Sequence, residues 1–161
     1  MNGDVARVRA SLERVMDPEV PVLSIVELGI VREVAVAAGG AVTVTVTPTY
    51  SGCPAMHTIE SEIRSVLRDA GFASVTLKTV YAPAWTTDWI SPPAREKLRA
   101  YGIAPPGTAT LVSLSGPPER VGCPFCGSPD TMLQSAFGAT ACKSLHVCRA
   151  CRQPFEHFKT F

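Results

Sequence analysis

Two Cys-x-x-Cys pairs, Cys123-Pro124-Phe125-Cys126 and Cys148-Arg149-Ala150-Cys151, carry the most specific chemistry in the sequence. Each pair brings two thiols to one point within a tight turn. Residues 127–147 between them leave room for a strand, a loop and a return strand. Four thiolates in a tetrahedron satisfy Zn²⁺, which favours sulfur and has no geometric demand of its own. The spacing falls just outside the common zinc-site window and remains a good match. Gly127 follows the first pair, where the chain must turn sharply beneath a metal. Arg152 stands at the matching place after the second pair. A four-cysteine set also accepts a single iron or a cluster, and residue types alone do not separate these from zinc. Disulfides compete with the metal reading. Residues 1–15 are charged and helical in pattern, without the apolar segment of a leader, so a reduced, cytoplasmic chain is expected. A thioredoxin-like redox motif is disfavoured by the presence of two pairs and the lack of a βαβ setting.

A third thiol, Cys53, lies in Thr47-Pro48-Thr49-Tyr50-Ser51-Gly52-Cys53-Pro54, where strand pattern gives way to helix pattern. Unpaired N–H groups and the dipole at a helix start favour a thiolate and lower its pKa. The alternative is a small buried hydrophobe. Cys142 is left over from the set of four and reads as a buried thiol, a spare ligand or a second reactive site. His57, His146 and His157 have no spacing that makes a histidine metal site. His146 is close enough in sequence to Cys148 to support a thiolate by hydrogen bonding.

The elements that must position these residues follow from periodicity. Val5, Val8, Leu12 and Val15 predict a helix over 4–15, ended by Asp17-Pro18-Glu19. Ser24 is placed to cap a short turn closed by Gly29. Residues 30–37 and 41–47 read as strands joined at Gly39-Gly40. Met56, Ile59, Ile63, Val66 and Leu67 form the apolar stripe of a helix from Pro54 to about Ala70. A third strand is expected over 74–81, and a helix from Ser91 to Tyr101. The fold class is therefore α+β: a small mixed sheet with flanking helices, then a four-cysteine zinc-ribbon-like module. The expected domains are 1–103, a Pro/Gly-rich linker over 104–121 with a short strand at 109–114, and the ribbon over 122–161. With 46% hydrophobic residues, the chain can build a core. A net charge of +1 and only five basic residues beyond position 119 argue against nucleic-acid binding. No apolar run approaches a membrane span.

Residues 17–34 (DPEVPVLSIVELGIVREV), 47–54 (TPTYSGCP) and 81–98 (YAPAWTTDWISPPAREKL) resemble the small iron–sulfur assembly domain of SufT and of the cytosolic iron–sulfur targeting factors. The resemblance spans roughly residues 4–103. Together with the four-cysteine module, Phe137-Gly138 and Ala141-Cys142-Lys143, it narrows to the PaaD (PaaJ) family. Those proteins are subunits of the phenylacetyl-CoA 1,2-epoxidase system of aerobic phenylacetate degradation. The resemblance implies an accessory role in assembling iron–sulfur or di-iron centres. The implied partners are the oxygenase and reductase subunits or iron–sulfur assembly proteins. On this reading Cys53 matches the motif cysteine and contacts iron or a cluster transiently, and Asp17 and Glu19 match the acidic motif of the family and would assist a metal. Asp17 has the equally good role of capping the next turn. Trp85 and Trp89 match a family loop and suit either a partner surface or core packing.

The chain lacks the residues of turnover itself. There is no helical Glu-x-x-His pair of the di-iron type, no glycine-rich dinucleotide fingerprint and no ferredoxin spacing. A competing enzymatic reading makes Cys53 a nucleophile with His57 as its base. A structural or electron-transfer component of the oxygenase complex is the remaining alternative.

Overall fold

The computed structural model describes residues 2–107 and 120–161. The strand expected at 109–114 and most of the expected linker lie outside the described residues. The chain divides into two compact units, Met1–Trp85 and Thr86–Phe161.

In the first unit, helix α1 (Asn2–Leu12) is followed by strands β1 (Val31–Val36) and β2 (Val42–Val46), helix α2 (Ala55–Asp69) and strand β3 (Val75–Thr79). The sheet order is β1-β2-β3, antiparallel between the first two and parallel between the last two. The parallel pair needs a crossover, which α2 supplies. Val42, Val44 and Val46 put one face of β2 into the core, and the threonines between them face outward. Ala55, Ile59, Ile63 and Leu67 recur every four residues and are buried along one side of α2. Each large aliphatic side chain of this set contributes about 1.5–3 kcal/mol through its burial. Helix α1 stops at Leu12, short of the expected Val15. Arg14 and Val15 donate to the carbonyls three residues back, a tightening that ends the helix. Strand β1 departs from strict alternation because its register shifts between Val31 and Glu33. Ser24 and Glu27 form a reciprocal capping box at 3.0 and 3.1 Å, and Gly29 closes that turn with φ 72°.

In the second unit, a 3-10 turn (Thr87–Trp89) leads into helix α3 (Pro92–Tyr101). Ser91 accepts the Ala94 N–H as the cap of α3, two prolines occupy its first turn, and Gly102 ends it at φ 92°. Four strands follow: β4 (Ile103–Ala104), β5 (Thr131–Ser135), β6 (Lys143–Cys148) and β7 (Pro154–Phe158), in the order β4-β7-β6-β5. Strand β4 pairs with β7 through Ile103–Glu156 and Ala104–His157. The expected boundary at 103/104 therefore falls inside this unit, and residues 86–103 are built with the ribbon. The reason is β4, a two-residue strand too short to leave a periodic signal. Phe155 and Phe158 are buried, whereas Phe161 is exposed. Among the described residues no helix is long and apolar enough to cross a membrane.

Candidate metal centre and motif thiol

The four cysteines of the two pairs converge. Their Sγ atoms all lie within 4.8 Å of one another. Cys123 Sγ is 3.7 Å from Cys151 Sγ, and Cys126 Sγ is 3.6 Å from Cys148 Sγ. A tetrahedron with Zn–S bonds of about 2.3 Å has sulfur–sulfur edges of about 3.8 Å. The thiols thus stand at the separation a single tetrahedral ion requires.

Two matching turns set this geometry. In the first, the Cys123 N–H donates to the Ser128 carbonyl at 3.0 Å; in the second, the Cys148 N–H donates to the Gln153 carbonyl at 3.0 Å. Each turn needs a left-handed residue four positions after its first cysteine. Gly127 takes φ 74° and Arg152 takes φ 61°, the only positive φ of a non-glycine among the described residues. Antiparallel pairing of β6 with β7 places the second turn at the end of that hairpin, and β5 follows the first turn. Register Thr131–Cys148 brings the first turn to the second. Ala104, Val121 and Phe155 form an apolar floor with Cys123 and Cys148.

The thiols differ in readiness to ionise. The Cys151 N–H donates to Cys148 Sγ at 3.5 Å and, against burial, brings that thiol down to about 7. Cys151 receives the Gln153 N–H, but burial and the neighbouring sulfurs push it up to about 12. Cys126, despite a hydrogen bond from the Ser128 backbone, is raised by Cys148, by burial and by Cys123. A bound cation favours the ionised form of each thiol that it takes as a ligand. The donor set fits a metal of the tetrathiolate class.

Cys53 is half-buried immediately before α2. Gly52 precedes it at φ 84°, with open space where a side chain would stand, so this glycine supplies the turn rather than room. The expectation of a depressed pKa is overturned. Burial pushes the thiol up, and the charges of Glu19 and Asp17 add to that, outweighing the Ala55 N–H and the Tyr50 hydrogen bond. The fold does bring Asp17 and Glu19 into electrostatic range of Cys53. Asp17, however, is buried and caps its own turn, accepting the Glu19 and Val20 N–H groups at 2.8 and 2.9 Å.

The other candidates separate from these two sites. Cys142 is buried beside Thr140 Oγ1 at 3.1 Å and lies outside the set of four. His146 Nε2 meets Ser144 Oγ at 3.0 Å, and the same hydroxyl reaches His157 Nδ1 at 3.4 Å. His57 is exposed on α2. Trp85 is a core residue whose Nε1 donates to the Leu28 carbonyl at 2.9 Å. Sequence reasoning missed the ion pair of Lys143 with Glu156 at 2.7 Å, and it missed Thr47, whose buried hydroxyl only the fold isolates.

Fold and thiol cluster together define an α+β domain followed by a four-cysteine ribbon. The family of iron–sulfur cluster assembly proteins matches residues 5–78, and the PaaD zinc beta ribbon domain matches residues 107–159. The domain of unknown function DUF59 from Bacillus anthracis superposes with a TM-score of 0.57 at 29% identity, covering 60% of this chain and 92% of that one. A Porphyromonas gingivalis protein named Fe-S protein maturation auxiliary factor is 36% identical over 88 residues, 54% of this chain and 83% of its own. An Escherichia coli (strain K12) protein, provisionally named as a subunit of 1,2-phenylacetyl-CoA epoxidase, is 49% identical over 156 residues, 96% of this chain and 92% of its own. The chain belongs to this family, that of the PaaD subunit.

Proposed function

We propose that this chain is an accessory maturation subunit for the metal centres of a phenylacetyl-CoA epoxidase system. Cys53 contacts iron or an iron–sulfur cluster in transit, and the four-cysteine site holds a structural zinc. The clients are the oxygenase or reductase subunits, with iron–sulfur assembly proteins as donors. The observation that carries this reading is the electrostatic setting of Cys53. Burial, with Glu19 and Asp17, raises its pKa, so without cargo it stays a thiol. The same carboxylates favour a cation, and a bound cation deprotonates its thiol ligand. A nucleophile needs the opposite, a thiolate ready at neutral pH. The setting therefore supports a metal contact over the enzymatic reading with His57.

Oxygenase and reductase subunits produced without this chain should carry depleted iron or cluster. Co-production with the chain should restore occupancy, whereas Cys53→Ser should not, although its circular dichroism and melting match the parent. Adding the chain to fully loaded partners should change turnover little. If fully metallated partners still require it in every turnover assay, a structural or electron-transfer role replaces maturation.

A further inference from the structure

Three of the eight large apolar side chains exposed among the described residues, Met132, Leu133 and Phe137, fall between positions 132 and 137. They belong to β5, which ends its sheet, and to the loop that follows it. A single exposed apolar residue is ordinary, but this loop is built to hold one in place. Ser135 Oγ donates to the Phe137 carbonyl at 2.8 Å and accepts the Phe137 N–H at 3.2 Å. The next two N–H groups are also engaged: Gly138 donates to the Lys143 carbonyl at 2.7 Å, and Ala139 to Glu156 Oε1 at 3.0 Å. A Cβ on Gly138 would stand 2.8 Å from Glu156 Oε1, so the glycine admits the carboxylate that ties the loop down. The backbone of Phe137 is thus spent within the protein, while its side chain stays outside, the residue being 66% exposed. A large aromatic on a fixed backbone has the form of an interface anchor, because little freedom is lost when a partner covers it.

Charge selects the occupant. Lys159 Nζ lies 4.5 Å from the centroid of the Phe137 ring and donates to the Ala136 carbonyl at 3.1 Å. No carboxylate among the described residues pairs with Lys159, and Glu156, the acid of this loop, is engaged by Lys143 at 2.7 Å. At the other end of β5, Arg149 reaches Met132 Sδ at 3.5 Å, and its pair with Asp130 is long, at 3.8 Å, and exposed. The apolar side chains therefore stand between two cations. A membrane surface or a nucleic acid calls for a broader basic face than these two groups supply. A carboxylate next to a large apolar side chain matches both Lys159 and Phe137 at once.

We propose that β5 and its loop dock an acidic segment of a partner polypeptide, with a large apolar side chain of that segment against Phe137 and a neighbouring carboxylate on Lys159. The inference stands apart from the maturation reading, which rests on Cys53. Backbone amide shifts of the full, zinc-loaded chain are followed in three titrations: a blocked Glu-Leu-Glu-Phe-Glu peptide, its counterpart with glutamine for each glutamate, and vesicles of anionic phospholipid. The acidic peptide should move the Leu133, Phe137 and Lys159 signals, and should bind more weakly as salt is raised. The glutamine peptide should bind several-fold less tightly. Phe137→Ala should weaken the acidic peptide about tenfold yet melt within about a degree of the parent, since the ring is exposed. Lys159→Gln should erase the preference for the acidic peptide over the glutamine one. Gly138→Ala keeps Phe137 but displaces Glu156, and it should weaken the acidic peptide several-fold. Equal binding of the two peptides to the parent would overturn the proposal, as would an unchanged affinity in Phe137→Ala. Binding of vesicles without either peptide would refute the polypeptide occupant in favour of a lipid surface. Cys53→Ser should bind the acidic peptide as the parent does, so failure of the docking surface and failure of the maturation role are separate results.

Discussion

Arg152 holds a backbone conformation that costs any residue with a Cβ, and it does so where the matching turn uses Gly127. The left-handed region disfavours L-residues by about 1–2 kcal/mol, while glycine brings an entropic loss of about 0.5–1 kcal/mol in the unfolded chain. Arg152→Gly should therefore stabilise the metal-loaded second unit by about 0.5 kcal/mol, read as a rise of a few degrees in its melting temperature. A fall would mean that the arginine side chain makes a compensating contact. At this scale the four ribbon cysteines were readable from spacing alone, because two Cys-x-x-Cys turns have few other uses in a reduced chain. The asymmetry of Gly127 and Arg152 was readable too, though not its conformation. The ionisation of Cys53 was not readable. Its local position argues for a thiolate, but burial and the carboxylates of Glu19 and Asp17, brought near only by the fold, reverse the sign. Thr47 was hidden for the same reason, since a threonine in a strand pattern normally faces solvent or finds a partner.

Between elements, the Lys143–Glu156 pair ties β6 to β7. Lys143 is buried, its Nζ lies 2.7 Å from Glu156 Oε2, and the Ala139 N–H donates to Glu156 Oε1 at 3.0 Å. Burial alone would raise the Glu156 carboxyl, but the hydrogen bonds from Lys143 and Ala139 and the Lys143 charge carry it below the usual carboxylate range. A depressed acid contributes stability that is present above its unfolded pKa of about 4.3 and is lost as pH falls through the lower folded value. Glu156→Gln should cost the second unit about 2–3 kcal/mol at pH 7, since it strands a buried ammonium beside a weaker acceptor. The difference from the parent should shrink on acidification through about pH 4 and below. Cysteine protonation is common to both proteins and cancels in that comparison. A difference independent of pH in chemical denaturation would remove the charge from the explanation. Strand β2 and helix α2 of the first unit were readable because their apolar periods are unbroken, as in Ile59, Ile63 and Leu67. What periodicity could not give was the partnership of α3 and β4 with the ribbon. Two residues of β4 carry no period, and a proline-rich stretch after them reads as a boundary.

At the scale of the whole chain, the two units depend on different forces. The first buries aliphatic faces of two helices against a three-stranded sheet and has a core of its own. The second gathers Ala104, Val121 and Phe155 around its cysteines in place of a larger core there. A ribbon with so few large apolar side chains around its turns draws on a metal or a cross-link. Cys148 is held low and Cys151 high, and a cation bound by both would favour their ionised forms. Strand β4 binds the segment from Thr86 onward into the same sheet, so loss of the metal should propagate beyond the ribbon expected from the sequence. Cys126→Ser, or a strong chelator on the parent, should release the metal and unfold Thr86–Phe161 as one body. Amide signals of Met1–Trp85 should stay dispersed, and that unit should keep its own cooperative melting. Metal content and amide exchange, measured together on the full chain, decide the matter. Retention of metal by Cys126→Ser would exclude the four-sulfur site, and protection lost only beyond Gly122 would detach α3 and β4 from the metal's reach.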